Sequence, residues 1–366
     1  MPARKAAPLV EAPPQVDRLM PFVGHASIVE YFARVGPQGL AHAYLFLGPR
    51  GVGKTTFART LALTLHCERP TSFPTGYCGQ CSACRRGLAG NSGDTIFVDD
   101  AFIRLADELA GKEERKTDTF GIEAARLIVR RMQLRSYEGG RLVCIIPNFE
   151  NVPYGRDEVY NALLKELEEP DPGKVFLLTT EHPDRILPTI RSRVSSVRFG
   201  GLTEPEIAQT LERQYGEPLE RATSLARRAQ GSLGDALTQR DDDSAQLHEA
   251  ARRWALACLQ RPSSLPPMPS LGKDDARSVL DAVLRHAKSA LRDLMAFAIA
   301  GEDAVFDPDA VPEYRAAAAA LGVRAAQRVA DALALFGEAA RIAATNVPPN
   351  VVLGWLQIQL RTAAGT

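Results

Sequence analysis

The sequence predicts an α/β fold, a parallel sheet continued by helical domains, and three observations carry that prediction. From Ala43 to Thr180, short apolar runs alternate with stretches of helical spacing, which is the pattern of a parallel sheet covered on both faces. The first apolar run feeds Gly48-Pro49-Arg50-Gly51-Val52-Gly53-Lys54-Thr55, a glycine-rich turn between a strand and a helix. After Gly200-Gly201 the strand-like runs stop, and Ala, Leu and Arg recur at helical spacing. At 366 residues the chain is long for one core and suggests two or three domains.

Residues 1–20 are rich in Pro and Ala and lack a continuous apolar run, so they read as a disordered tail and not a signal peptide. Phe22-Val23-Gly24-His25 opens a helix over Ala26 to Val35, and Gly36-Pro37-Gln38-Gly39 turns the chain. Ala43 to Leu47 is a buried strand, and Thr56 to Leu63 has the alanine content of a helix leaving the turn. Phosphate chemistry needs this order. Glycines let backbone N–H groups close around phosphate oxygens, and the helix N-terminus adds partial positive charge. Gly48, Arg50, Gly51, Gly53, Lys54, Thr55 and Thr56 are therefore the expected contacts to ATP or ADP. Lys54 would reach the β- and γ-phosphates, and Thr55 would offer its hydroxyl to Mg²⁺.

Four of the six cysteines cluster after this helix as Cys67, Cys78, Cys81 and Cys84. Tight Cys-x₂-Cys turns bring sulfurs onto one tetrahedral ion, and four thiolates leave no open position, so a structural Zn²⁺ is expected. An iron–sulfur cluster is the alternative, but its motif wants a further Cys at position 88, which is Leu.

Thr95 to Val98 is the second strand, ending at Asp99-Asp100, and Ala101 to Thr119 reads as a solvated helix and loop. A helix runs from Gly121 to about Leu134, and Ser136 to Gly140 turns into a third strand, Leu142 to Ile146. A helix from Val159 to Glu169 stops at Pro170, and a fourth strand, Val175 to Leu178, leads to Thr179-Thr180. Thr203 with Glu206 makes a capping box. The charged run Arg240 to Asp243 is a second boundary, so the expected domains are 21–199, 200–243 and 244–366. The last is all-helical, with a stripe at Val329, Leu333, Phe336 and Ala340. Lys plus Arg and Asp plus Glu both number 44, so no global charge points to nucleic acid. No apolar span of 18 residues occurs, and a cytoplasmic protein without membrane contact is expected.

A phosphate loop alone does not choose among kinases, GTPases and ATPases. Four further stretches narrow the choice: His42 to Phe46 before the loop, the cysteine insert after it, Asn161 to Pro170, and Ile190-Arg191-Ser192-Arg193-Val194. Together they resemble the AAA+ clamp-loader subunits of bacterial DNA polymerase III, of the gamma/tau and delta-prime type. The resemblance runs from about Phe22 to Ala236 and implies an AAA+ sheet domain with a zinc module, a small helical lid and a helical collar. It also implies delta and gamma/tau subunits as partners in a pentameric ring, acting on a sliding clamp and primed DNA.

Within that family an active ATPase ends its third strand on Asp-Glu, one acid for Mg²⁺ and one for the attacking water. Here Ile146 is followed by Pro147-Asn148, and Glu150, two residues late, is expected to point elsewhere. The lid motif Gly-Ser-x-Arg-Asp-Ala carries Gly234 in place of Arg. Two lost phosphate-handling groups argue against hydrolysis. Ser192-Arg193 matches the segment that supplies an arginine finger to the neighbouring subunit's ATP, and Thr180 matches a γ-phosphate sensor, or merely finishes its strand. The pattern is that of delta-prime, a stator subunit, here expected to bind ATP or ADP without turnover. The alternative is a gamma/tau-type motor that recruits Asp99, Asp100 or Glu150 for Mg²⁺.

Overall fold

The computed structural model describes residues 22–112, 120–136, 140–152, 157–168, 173–240, 242–260, 267–268, 270, 276–343, 345 and 347–363. The expected tail over 1–20, the loop at 113–119 and Glu169-Pro170 lie outside the described residues. The chain divides into two compact units after Glu206.

The first unit runs α1 (Ala26–Val35), β1 (Ala43–Leu47), α2 (Lys54–His66), α3 (Ser82–Leu88), β2 (Thr95–Phe97) and α4 (Asp100–Leu109). It continues with α5 (Ile122–Met132), β3 (Leu142–Ile146), α6 (Asp157–Glu168), β4 (Lys174–Thr180), α7 (Pro188–Arg191) and β5 (Ser195–Arg198). The strands are all parallel, in the order β2-β3-β4-β1-β5. Alternation along β1 sends Tyr44 and Phe46 to one face, with Phe32, Phe57 and Phe199. Ala43 and Leu45 go to the other face, with Ile128, Phe149 and Leu163. Full burial of each such large side chain stabilises by about 1.5–3 kcal/mol, so both faces are sealed.

Register places the site. Leu47 lies opposite Thr180 and Ile146 opposite Leu178, so the chain leaves β1, β4 and β3 side by side at one edge of the sheet. Two elements differ from expectation. β5 was not foreseen, because Ser195, Ser196 and Arg198 are exposed and only a half-buried Val197 marks it as an edge strand on β1. The segment after Asp100 is not simply solvated. Asp99 caps α4 by accepting from the Phe102 N–H at 2.9 Å, and Phe102, Ile103 and Ala106 are buried.

The capping box closes reciprocally at the start of α8 (Glu204–Tyr215): the Thr203 N–H donates to Glu206 Oε2 at 2.7 Å, and the Glu206 N–H to Thr203 Oγ1 at 3.4 Å. The second unit continues through α9 (Leu219–Arg228), α10 (Leu233–Thr238), α11 (Asp242–Gln260) and α12 (Ala276–Ala300). It ends with α13 (Val311–Leu321), α14 (Ala325–Ala343) and α15 (Pro349–Ala363). Its core gathers Trp254, Leu291, Tyr314, Phe336 and Leu353. The buried stripe of α14 is Val329, Ala332, Phe336 and Ala339; Ala340 is exposed. Small alanines let the helix pack closely, so the stripe follows them.

A buried polar cluster interrupts this core. Arg252 donates to Asp307 Oδ2 at 2.8 Å and to both Glu313 oxygens at 3.1 Å each. The Asp307 N–H donates to Asp293 Oδ2 at 3.0 Å, and the His248 and His286 Nδ1 atoms lie 3.1 Å apart. Burial raises Asp293 to about 6, and burial together with the His248 ring lowers His286 to about 3. No helix among the described residues is long and apolar enough to cross a membrane.

Candidate phosphate and metal sites

The loop after β1 is built on three glycines with positive φ: Gly48 at 151°, Gly51 at 69° and Gly53 at 103°. Such angles strain any residue with a side chain. Gly48 also has no room for one, since a Cβ there would overlap the backbone carbonyl of Phe199. Behind the loop, a ring nitrogen of His25 lies 2.7 Å from the Val52 carbonyl, bracing the turn.

Lys54, buried at the start of α2, donates to the carbonyls of Gly48 at 2.7 Å and Pro49 at 2.6 Å. The ammonium thus lies inside the loop, where phosphate oxygens would take over its donors. Burial pulls its pKa below the ordinary lysine range, and the nearby carboxylates of Glu181 and Glu150 oppose that shift. Thr55 and Thr56 are half-buried on the first turn of α2, and Arg50 is exposed at the loop tip.

Thr180 comes to the same place from β4. Its carbonyl accepts the Gly48 N–H at 3.2 Å, and its hydroxyl accepts the His182 N–H at 3.0 Å, finishing the strand. At the end of β3, Asn148 takes left-handed backbone angles, φ 48° and ψ 52°, and its N–H donates to Thr179 Oγ1 at 3.1 Å. Pro147 and Asn148 bring no carboxylate to this edge.

Glu150 corrects the sequence reading. It does not point elsewhere: Oε1 accepts the N–H of Glu181, directly after Thr180, at 2.8 Å. The left-handed Asn148 leads into a 3₁₀ turn, Phe149–Asn151. Rise per residue there falls from about 3.3 Å to about 2 Å, so a residue two places late is drawn back over the end of β4. Spacing counted along an extended strand could not have found it. Of the other acids considered, Asp99 is occupied as the cap of α4.

Arg193 follows α7, away from these contacts. It donates to the Thr189 carbonyl at 2.8 Å and to Ser192 Oγ at 3.3 Å, and it pairs with Glu168 at 2.7 Å. Its partners are residues of its own turn and of α6. Gly234 lies in the first turn of α10, capped by Ser232.

The second site is thiol. The sulfurs of Cys67, Cys78, Cys81 and Cys84 all lie within 4.8 Å of one another. Cys78 and Cys84 sulfurs are 3.9 Å apart, close to the roughly 3.8 Å separation of tetrahedral ligands at about 2.3 Å from one zinc. The sulfurs are also supplied with donors: Cys78 N–H to Cys67, Cys81 N–H to Cys78, and Cys84 N–H to Cys81, at 3.2, 3.4 and 3.4 Å. The N–H groups of Gln80 and Cys81 pull the Cys78 thiol down to about 6, while burial pushes Cys84 up. The donor set fits a metal ion that takes thiolates.

Taken together, the sheet order and the loop define a phosphate-loop α/β protein with a four-cysteine module. Comparison carries the assignment further. A family model for DNA polymerase III, delta subunit matches residues 25–203. The chain is 35% identical over 208 residues to DNA polymerase III subunit tau/gamma of Haemophilus influenzae, covering 55% of this chain and 27% of that one. It is 32% identical over 248 residues to subunit tau of Escherichia coli, covering 66% and 34%. It is 39% identical over 153 residues to subunit delta' of Pseudomonas aeruginosa, covering 42% and 41%. The matches span less than half the length of each of these relatives. They show that residues 25–203 are similar to subunits of DNA polymerase III.

Proposed function

We propose that this chain is the delta-prime-type subunit of a DNA polymerase III clamp loader, an AAA+ protein that braces the ring without hydrolysing ATP itself. It works beside delta and gamma/tau subunits in a pentameric ring that loads a sliding clamp onto primed DNA. Arg193 is its contribution to catalysis, an arginine finger toward a neighbour's ATP, and Zn²⁺ on Cys67, Cys78, Cys81 and Cys84 holds the module after α2. Its own loop holds ATP or ADP with Mg²⁺ statically, through Lys54, Thr55 and the loop N–H groups.

The observation that carries this reading is the end of β3. Pro147 has no ligand atom, and the Asn148 amide cannot take a proton from water, so neither position offers a general base. The left-handed turn at Asn148 is tied to Thr179, which fixes that arrangement. The ion pair of Arg193 with Glu168 is exposed enough for exchange against a phosphate, since surface pairs are worth about 0–1 kcal/mol. A second reading, a gamma/tau-type motor, is favoured by the place of Glu150 beside Lys54.

ATP binding and single-turnover hydrolysis on the isolated chain, with Mg²⁺, separate the two. Binding without turnover supports the stator. Turnover abolished by Lys54→Ala selects the motor. In the assembled loader, Arg193→Ala is expected to lower ring ATPase at least tenfold, set against the roughly 10³–10⁵ that such residues contribute. Unchanged ring ATPase removes the arginine-finger role.

A further inference from the structure

We propose that Glu150 is the carboxylate that holds the magnesium ion of a nucleotide at this loop, through the ion's own water, in place of the acids that Pro147 and Asn148 do not supply. The inference rests on the reading that the loop binds nucleotide.

Three features of Glu150 lead there. The first is place. The residue sits at the exits of β3 and β4, its Oε1 on the N–H of Glu181, and Thr180 just before is bonded to Gly48 of the loop. The second is an unmet oxygen. Glu150 is only 7% exposed, yet its Oε2 has no hydrogen-bond partner. A buried carboxylate oxygen left so is costly, and the chemistry that satisfies it is a cation or a cation's water. The third is charge. Lys54 lies close enough to feel the Glu150 carboxylate, but its ammonium is directed at Gly48 and Pro49. Glu150 is therefore an acid at a phosphate loop, held by one oxygen and free at the other. A residue needed only to fasten β3 to β4 would not need its second oxygen or its charge. Held by one carboxylate, the loop threonine and phosphate, Mg²⁺ would keep most of its water, as it prefers.

Glu150→Gln separates these roles, because the amide oxygen can still accept the Glu181 N–H while the charge is gone. ATP affinity is measured on the full chain with Mg²⁺ and again with EDTA. The wild type is expected to bind more tightly with Mg²⁺. The variant should keep the EDTA affinity and lose about ten- to a hundredfold of the Mg²⁺-dependent gain. An equal gain in both proteins overturns the inference and leaves nucleotide binding standing. No ATP binding by the wild type in either condition overturns both. A second measurement needs no variant. With Fe²⁺ in place of Mg²⁺, ATP bound, and ascorbate and peroxide added, the wild-type backbone should be cut near 148–151 as well as near Lys54-Thr55. Cuts at the loop with none near 148–151 overturn the inference.

Discussion

Arg252→Met tests the buried cluster of the helical unit. Arg252 is 8% exposed, and its guanidinium serves Asp307, 3% exposed, and both oxygens of Glu313. Methionine fills similar volume but leaves Asp307 with His248 Nε2 at 3.6 Å and the Asp293 carboxylate on its own N–H. Breaking such a pair on one side costs about 3–5 kcal/mol, because a buried charge is left uncompensated. Glu313 adds little, since it gains water. At about 2–4 °C per kcal/mol for a unit of this size, the midpoint should fall by roughly 6–20 °C. The assay is built into the chain: its two tryptophans, Trp254 and Trp355, both lie in this unit, so tryptophan fluorescence on heating follows its unfolding. Acidification gives a second check. Burial would raise Asp307, but the nearby His248 ring and the Arg252 charge outweigh it, and the carboxyl lies below its ordinary value. A depressed carboxyl contributes stability above its unfolded pKa. Without Arg252 burial prevails, the folded state takes up the proton, and the deficit of the variant should narrow as pH falls from 7 toward 5. A loss under about 1 kcal/mol, or a deficit that ignores pH, refutes the argument.

Three further outcomes are expected. The wild type is expected to hold zinc on the four cysteines and Cys84→Ser to lose it, read as zinc per chain by mass spectrometry after dialysis; equal zinc in both refutes the site. Gly48→Ala should abolish ATP binding, since the alanine is strained at φ 151° and meets the Phe199 carbonyl; undiminished affinity in calorimetry would show that the loop can shift. Asp293→Asn should make the helical unit sensitive to acid. Asp293, raised to about 6, gains stability as pH falls from 6 toward 4, while His286, lowered to about 3, loses it below 6.5. The two oppose in the wild type. In the variant the His286 loss of up to about 1.4 kcal/mol per pH unit stands alone, and a flat urea midpoint between pH 6 and 4 would refute the pairing.

What the sequence made legible follows the range of each interaction. The strand at Ala43, the glycine loop and the helix after it are local patterns, and they stand where spacing places them. The cysteines converge because Cys-x₂-Cys turns are local too. Glu150 was misplaced because its position depends on one left-handed residue and a 3₁₀ turn, neither of which leaves a periodic signature. β5 was missed because an edge strand needs few apolar residues. Arg252, Asp307 and Asp293 could not be joined in advance, for their contacts cross 55 and 14 residues of sequence.

The end of β4 has a consequence for inheritance. On one side it holds the Gly48 N–H, and on the other the N–H of Asn148, while the residue after it anchors on Glu150. The loop is thus a fastening of the sheet as well as a cradle for phosphate. A lineage that abandons ATP hydrolysis cannot discard Gly48 or Thr179 without loosening the same edge from which the chain runs on to Arg193. Such a chain would keep Gly48 for the sake of the sheet even where no ATP is hydrolysed.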